Sequence, residues 1–437
     1  MPLTTDEFEL LKQVYQNLQD GPLKPGDPRY EAVYGHPGCE DPVDLLQRSI
    51  VFSPTESVCL FSGFRGSGKT TELYRLRKRM EDRGDTVLYA DALDYVNPSA
   101  PIDISVLLIA LAGAFGDALC GEGIDIGSES YSTRLWNWLT RTNVDVTEFS
   151  LKAGFDLKAV LRNTPSFRER LKQELSGRIA ELHQEVTNFF EDGVKAIRKT
   201  RGEDTRIVFL FDSLEQLRGS LTDEAAVMHS VERIFSDHMK FLRMPYVHVV
   251  YTVPPWLKFK LPGTEVRLLP CLRLWDRNLQ RSLFSPGIDA LRSLVLKRFP
   301  DGRLERLFGP DPFRRVDRLI ELSGGHFRDL LRLLSETVLR ARSLPATDEA
   351  IEGAIVSVRS SYLPIALDDA PWLAEIERER ASPLKSRATE DINRLSFFID
   401  IHVVLYLRNG EDWYDIHPLI RDEVLRIAKA AESAKPA

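Results

Sequence analysis

An eight-residue stretch rich in glycine constrains this chain more than any other part of it. Residues 63–70 read Gly-Phe-Arg-Gly-Ser-Gly-Lys-Thr, which matches G-x-x-x-x-G-K-[ST] at every fixed position. The apolar run 58–61 precedes this stretch, and a helical pattern over 70–83 follows it. Glycines let consecutive backbone N–H groups turn inward around an anion, and the following helix adds the positive end of its dipole. The pattern therefore predicts a strand, a phosphate-binding loop and a helix in succession.

Each polar residue of the loop has an expected role. Lys69 is expected to reach the β- and γ-phosphates of a nucleotide, and the Thr70 hydroxyl to bind Mg²⁺. A glycine-rich turn that binds nothing is the alternative, and the full match between a strand and a helix disfavours it. The predicted nucleotide-binding residues are Gly63, Phe64, Arg65, Gly66, Ser67, Gly68, Lys69, Thr70 and Thr71.

A second acidic motif lies at the end of another apolar run. Residues 207–211 are all apolar, and Asp212 closes them, as expected for a buried strand whose carboxylate emerges at the edge of the sheet where ligands bind. Asp212 is therefore predicted to hold the metal with Thr70, the alternative being a helix N-cap. Glu215 is the nearest candidate to activate the attacking water, or else a capping acid, because Ser213 occupies the position directly after Asp212.

Two further residues are candidates for contact with the γ-phosphate. Thr252 lies at the end of the predicted strand 246–253 and would sense the phosphate or the water, although threonine is also common in strands for its shape. Arg328 follows a Gly-Gly pair at 324–325 and opens an amphipathic helix. It would reach back across a cleft to the phosphates, or remain a surface arginine.

The order of apolar runs predicts the fold class and the domains. Strands alternate with loops and helices through the first part of the chain, which favours an α/β fold with a parallel sheet and helices on both faces. A hairpin is predicted around 147–160, one long helix over 167–197, and a second hairpin over 403–416 with an Asn409-Gly410 turn. The predicted domains are an N-terminal arm (1–30), a core (31–275) with an insertion (121–200), a helical lid (276–342) and a C-terminal module (343–437).

Composition narrows the class of protein. The net charge of −7 argues against a protein that coats nucleic acid non-specifically. The four cysteines lie far apart with no C-x-x-C pair, which fits a reducing cytoplasm and excludes a zinc ribbon. The N-terminus has no signal-peptide pattern, and the apolar run 104–115 is shorter than the ~20 residues that span a bilayer. We expect a cytoplasmic protein without a membrane partner.

Together these motifs resemble the AAA+/STAND branch of P-loop ATPases, near its origin-recognition-type members. The match covers residues 63–70 as Walker A, 207–212 as Walker B, Thr252 as the first sensor and 324–328 as the second sensor segment. The stretch 27–35 resembles the segment that leads into the nucleotide pocket of such proteins. The sequence of residues 66–73 and 212–215 is similar to that of bacterial ATPases found in phage-defence or conflict operons.

The resemblance implies ATP and Mg²⁺ as ligands, ATP hydrolysis, and a parallel-sheet P-loop core with a helical lid and a C-terminal winged-helix-like module. Members of the branch often complete the active site across a subunit boundary, so we expect a homo-oligomer or an effector partner. Lys258, Lys260 and Arg267 lie where an arginine finger falls, and none of the three stands out.

The leading hypothesis is an ATP-dependent conformational switch with slow hydrolysis, acting in phage defence. The alternative is a DNA-binding AAA+ ATPase of the origin-recognition or loader type, which the acids near the predicted C-terminal hairpin disfavour. A third option is a degenerate NTPase that serves as a scaffold.

Overall fold

The computed structural model describes residues 3–127, 130–142, 156–218, 223–278, 280–380, 384, 386 and 388–433. The strands are β1 (Ser57–Gly63), β2 (Thr86–Asp91), β3 (Ile207–Asp212), β4 (Val247–Val253), β5 (Val266–Leu269), β6 (Val404–Asn409) and β7 (Glu411–Ile416). The helices are α1 (Thr5–Asn17), α2 (Pro42–Phe52), α3 (Lys69–Glu81), α4 (Ile104–Gly121), α5 (Tyr131–Arg141), α6 (Leu157–Asn163), α7 (Pro165–Leu175), α8 (Ile179–Arg201), α9 (Glu224–Asp237), α10 (Leu257–Lys260), α11 (Ser285–Arg298), α12 (Arg303–Phe308), α13 (Phe313–Leu322), α14 (Phe327–Arg340), α15 (Asp348–Ser360), α16 (Ala370–Glu379), α17 (Thr389–Asp400) and α18 (Arg421–Ser433).

Five strands form one sheet in the order β2-β3-β4-β1-β5. β1 pairs with β4, β4 with β3 and β3 with β2, all in parallel. Every residue of β3 and β4 is buried, because helices cover both faces of a parallel sheet and the strands read as continuous apolar runs. The predicted α/β fold with a parallel sheet is confirmed, and β4 lies between the strand that leads into the glycine loop and the strand that ends at Asp212.

The chain forms two compact units. The first comprises Met1–Pro42, Gly63–Tyr74 and Leu269–Ala437, and the second comprises Val43–Ser62 and Arg75–Leu268. The phosphate loop therefore belongs to the same unit as the helices after residue 269, whereas Asp212 and Thr252 belong to the unit that contains most of the sheet. The predicted domain boundaries stay predictions.

Within the second unit, helix α4 packs against α8 and β2. The Phe115 ring stacks on Phe190 with centroids 4.0 Å apart and meets Phe209 edge-on at 5.6 Å. A Cβ added to Gly193 would lie only 2.4 Å from Phe115, so α8 approaches α4 closely at a residue without a side chain. Helix α4 is long and apolar enough to cross a membrane, but 78% of it is buried inside the protein, as in a core helix.

Two predicted elements of the insertion differ from the structure. The single long helix over 167–197 is wrong, because α7 ends at Leu175 and α8 begins at Ile179, with Gly177 in the break. Glycine weakens a helix, while the apolar period continues across the break and conceals it. The predicted hairpin over 147–160 falls largely outside the described residues. Its end is helical, because Asp156 caps α6 by accepting a hydrogen bond from the Ala159 N–H.

The first unit contains the helical segment and the C-terminal module. Strands β6 and β7 form the predicted antiparallel hairpin, with Gly410 at the turn at a φ of +86°. Helix α16 packs against β7 and α18, and α17 against β6, which gives the winged-helix-like arrangement. Buried Asp415 of β7 forms an ion pair with Arg281, so a charged contact anchors the hairpin to the segment before α11.

Candidate nucleotide-binding site

The phosphate loop has a backbone that only glycine adopts easily at two positions. Gly66 and Gly68 have φ values of +88° and +87°, in the region that other residues avoid. A Cβ on Gly66 would lie 2.6 Å from the Cβ of Arg328, and one on Gly68 would lie 3.6 Å from the Phe327 ring. Gly66 is thus required both for the turn and for the close approach of Arg328, whereas Gly68 is required for the turn alone.

Lys69 is held at the centre of the loop. Its side chain belongs to a residue that is only 5% exposed, and its Nζ donates hydrogen bonds to the carbonyl oxygens of Gly63 and Phe64 at 2.9 and 3.0 Å. The Ser67 hydroxyl also donates to the Phe64 oxygen, at 2.8 Å. The loop therefore presents a fixed ammonium group beside its backbone amides, which is the arrangement that binds a polyphosphate.

The two threonines after Lys69 differ in their surroundings. Thr70 is half-buried at the start of α3, where its hydroxyl suits a hard cation such as Mg²⁺. The Thr71 hydroxyl accepts a hydrogen bond from the Leu23 N–H at 3.0 Å. Thr71 therefore ties the N-terminal arm to the first turn after the loop, a contact that its predicted role in nucleotide binding did not anticipate.

Asp212 is fixed in orientation within the second unit. Its side chain is fully buried, with Oδ1 accepting from the Ser213 N–H at 2.7 Å and Oδ2 from the Tyr89 hydroxyl at 3.0 Å. Ser213 has a φ of +73°, a strained backbone of the kind that gathers at functional sites. A buried, oriented carboxylate is the kind of oxygen donor that Mg²⁺ prefers, so the chemistry of Asp212 fits this ion.

An additional acid lies beside Asp212. Asp91 ends β2 and is its register partner across the β2–β3 pair. Burial raises the pKa of the Asp91 carboxyl, and the negative charges of Asp94 and Glu215 raise it further. The sequence analysis assigned no role to Asp91. The ending of β2 was the signal, because carboxyl ends of parallel strands meet at one edge of the sheet.

Two other predicted residues lie in the same unit as Asp212. Glu215 is half-buried in the short 3-10 turn Leu214–Gln216. Thr252 is fully buried near the end of β4, and its hydroxyl oxygen has no hydrogen-bond partner among the described residues. A buried hydroxyl without a partner is costly, which suits a residue that meets a water or a ligand.

Residues 326–329 all touch the loop or hold a residue that does. The His326 Nε2 lies 3.1 Å from the Arg65 carbonyl oxygen, and Asp329 binds the other nitrogen of the same ring. The Phe327 ring lies 5.8 Å from that of Tyr34. Arg328 lies across Gly66 and donates from Nε to Asp20 Oδ2 at 2.7 Å. The structure thus places predicted Arg328 against the phosphate loop. It also adds Asp329 and Asp20, which sequence reasoning missed, and His326, which lies in the predicted sensor segment but was given no role of its own.

The candidates for an arginine finger are engaged within the chain. Lys260 Nζ lies 2.9 Å from Glu232 Oε2, and Arg267 Nη2 lies 2.9 Å from Glu265 Oε1. Lys258 also has an interaction partner within the described residues. None of the three is distinguished by its geometry.

No protein-family model matches this chain, and no curated protein matches it. Similar solved structures include the ORC2 protein of Aeropyrum pernix in its ADP form, with a TM-score of 0.41, 11% identity and coverage of 97% of this chain and 99% of that one. Another is Cdc6p of Pyrobaculum aerophilum, with a TM-score of 0.33, 12% identity and coverage of 89% and 92%. A Walker-type ATPase of Pyrococcus abyssi has a TM-score of 0.37, 12% identity and coverage of 89% and 95%.

The class of fold follows from this chain's own features. A parallel sheet in the order β2-β3-β4-β1-β5, with the glycine loop after β1 and Asp212 at the end of β3, is the P-loop core of the AAA+ type. The chain therefore has the fold of an AAA+ P-loop protein.

Proposed function

We propose that this protein binds ATP with Mg²⁺, hydrolyses it, and uses the nucleotide to change its conformation. The observation that carries the proposal is the packing of Arg328 across Gly66, next to a loop that holds the buried ammonium of Lys69. Because Arg328 opens a helix of the lid, a γ-phosphate in the loop would attract a residue of a second element. The binding of ATP would thereby be coupled to the position of the lid.

Each site residue is assigned a separate role in ATP binding or hydrolysis. The loop amides and Lys69 would hold the phosphates, and Thr70 and Asp212 would hold Mg²⁺, which neutralises charge on the phosphates. Glu215 would orient the attacking water, with Thr252 beside it. Arg328 would stabilise the negative charge that develops on the γ-phosphate.

The energy needed for such a switch is moderate. Moving a two-state equilibrium from 1:99 to 99:1 takes about 5.5 kcal/mol of differential binding. Charge-assisted hydrogen bonds contribute about 1.5–3 kcal/mol each, so contacts from Lys69 and Arg328 together with the metal are of sufficient size.

Calorimetry with Mg-ATP tests this proposal. We expect saturable binding in the wild-type protein, loss of binding in Lys69→Ala, and retained ATP without turnover in Glu215→Gln. Normal binding in Lys69→Ala would overturn the assignment of the loop. A protein that binds ATP but shows no change in protease sensitivity with nucleotide would instead be a scaffold.

The finer biological role has two candidates, and DNA binding is the better supported. The structural neighbours are of the origin-recognition type, and no comparison supports phage defence. Two features of the C-terminal hairpin count against DNA binding. Arg408 is paired with Glu40 at 3.1 Å, and the exposed acid Glu411 lies at the turn. Binding to duplex DNA at low salt that weakens steeply with added salt would support the origin-recognition role, and no binding at low salt would exclude it.

We further propose that the protein acts in the cytoplasm, as an oligomer or with an effector protein. The composition and the widely spaced cysteines support the compartment. Sedimentation with and without Mg-ATP tests the assembly, and a monomer under both conditions would argue for a separate partner.

A further inference from the structure

A buried carboxylate lies behind the phosphate loop, at the first turn of α14. Asp329 is only 1% exposed. Its Oδ2 accepts hydrogen bonds from His326 Nδ1 and from the Tyr362 hydroxyl, both at 2.6 Å, and its Oδ1 accepts from Arg332 Nη1 at 3.2 Å. So many donors around one buried group indicate an ionised carboxylate.

The environment of Asp329 favours its charged form. Burial acts to raise the pKa of its carboxyl, but the charge and hydrogen bond of His326 outweigh burial and hold that pKa well below the usual range. His417 also faces this carboxylate, with Nε2 at 3.3 Å. Its Nδ1 accepts from the Leu419 N–H, which leaves the ring hydrogen on Nε2, and burial lowers the pKa of His417.

Both ring nitrogens of His326 face acceptors. Nδ1 meets the Asp329 carboxylate, and Nε2 lies 3.1 Å from the carbonyl oxygen of Arg65. A backbone carbonyl can only accept a hydrogen bond, so Nε2 is the donor in the contact with Arg65. His326 therefore bridges Asp329 and the phosphate loop.

The bond to Arg65 fixes the direction of one peptide group. In a trans peptide the C=O and the N–H point in opposite directions, so holding the Arg65 oxygen toward His326 directs the Gly66 N–H away from it. Gly66 has a φ of +88°, and a glycine leaves such a peptide free to rotate. Without an anchor this amide would not keep one direction.

We propose that His326 is a positioning residue of the phosphate loop, which holds the Arg65–Gly66 peptide so that the Gly66 N–H faces the bound phosphates. Asp329 holds His326 in turn. The inference rests on the proposed binding of nucleotide by this loop. Because backbone amides of such a loop contact the α- and β-phosphates, His326 serves ATP and ADP alike, whereas Arg328 would serve the γ-phosphate of ATP.

The same side chains suggest a metal site as a competing explanation. Ligand atoms of His326, Asp329 and His402 all lie within 4.8 Å of one another. A metal on His326 would have to replace one of its two hydrogen bonds. The hydrogen bonds to Asp329 and Arg65 account for both ring nitrogens of His326, and a metal site would not explain why Nε2 faces a carbonyl oxygen of the loop.

Two carboxamide variants separate the bonds of His326. Glutamine places its amide near the position of Nε2, so His326→Gln keeps a donor to Arg65. Asparagine reaches only the position of Nδ1, so His326→Asn keeps a donor to Asp329 and loses the bond to the loop. We expect His326→Asn to bind both Mg-ATP and Mg-ADP about tenfold or more weakly, and His326→Gln to stay close to the wild type.

Calorimetry with both nucleotides and thermal unfolding without nucleotide provide the measurements. If the wild type binds no nucleotide, the proposed function itself fails. If the wild type binds and both variants bind equally well, the positioning role fails while the proposed function stands. Equal loss of binding and of thermal stability in both variants would also overturn it, in favour of a structural role. One equivalent of bound metal per wild-type chain, lost in both variants, would show a metal site instead.

Discussion

Arg328 Nε donates a hydrogen bond to Asp20 Oδ2 across 2.7 Å, while the same side chain lies over Gly66 of the phosphate loop. The guanidinium is thus shared between an acid of the N-terminal arm and the place where a γ-phosphate would bind. A phosphate would compete with Asp20 for Arg328, so this ion pair is expected to tune the affinity for ATP.

Neutralising Asp20 should strengthen the binding of ATP. Asp20→Asn removes the competitor of the phosphate, and because the pair is partly exposed, the gain should be at most about fivefold. The affinity for ADP, which has no γ-phosphate, should stay unchanged. Titrations with both nucleotides provide the measurement. Glu9→Gln, which breaks a pair with Lys12 in the same arm, is the control, and an equal gain in that variant would refute the competition.

Asp212→Asn should abolish turnover while ATP binding without Mg²⁺ persists. The amide keeps the shape of the side chain but loses the negative charge that holds the metal. We expect the strengthening of ATP binding by Mg²⁺ to fall about tenfold or more, as for loss of a charge-assisted contact. Calorimetry with and without Mg²⁺ measures it. A full Mg²⁺ effect in the variant would remove Asp212 from the site.

Tyr89→Phe tests the support of that carboxylate separately. The variant deletes only the hydroxyl that binds Asp212 Oδ2, so turnover should fall by less than in Asp212→Asn. The free energy of unfolding should drop by about 1 kcal/mol. Turnover as low as that of Asp212→Asn would instead indicate that Tyr89 acts directly in the reaction.

Gly193→Ala should destabilise the second unit by about 1–3 kcal/mol, because the new methyl group would overlap Phe115 on α4. Denaturant unfolding monitored by circular dichroism measures the change. Gly177→Ala is the matched control, since a Cβ there meets nothing within 4 Å. Equal stability of the Gly193→Ala variant and the wild type would mean that α8 can shift away without cost.

The local parts of this site were predictable from sequence, and the distant pairings were not. The loop from Gly63 to Thr70 carries its own pattern, and Asp212 follows an apolar run that identifies its strand. The contact between His326 and Arg65 joins residues 261 positions apart, and that between Arg328 and Asp20 joins residues 308 apart. No spacing rule links such residues, because only the folded chain brings them together.

The missed break at Gly177 has a different cause. The apolar residues on either side keep a helical period across 167–197, so periodicity alone predicts one continuous helix. A single glycine after a serine is a weak signal against that pattern. A separate limitation applies to Asp91: the sequence does not give the order of the strands in the sheet, so Asp91 could not be predicted as a neighbour of Asp212.

Four successive side chains at the start of α14 each make a different contact. His326 binds the Arg65 carbonyl oxygen of the loop, and Asp329 binds His326. Phe327 packs on Tyr34, and Arg328 lies over Gly66. One residue inserted just ahead of this turn would rotate the whole set by about 100° around the helix axis. All four contacts would then be lost in a single step, so this segment should tolerate substitution at individual positions far better than any change in its length.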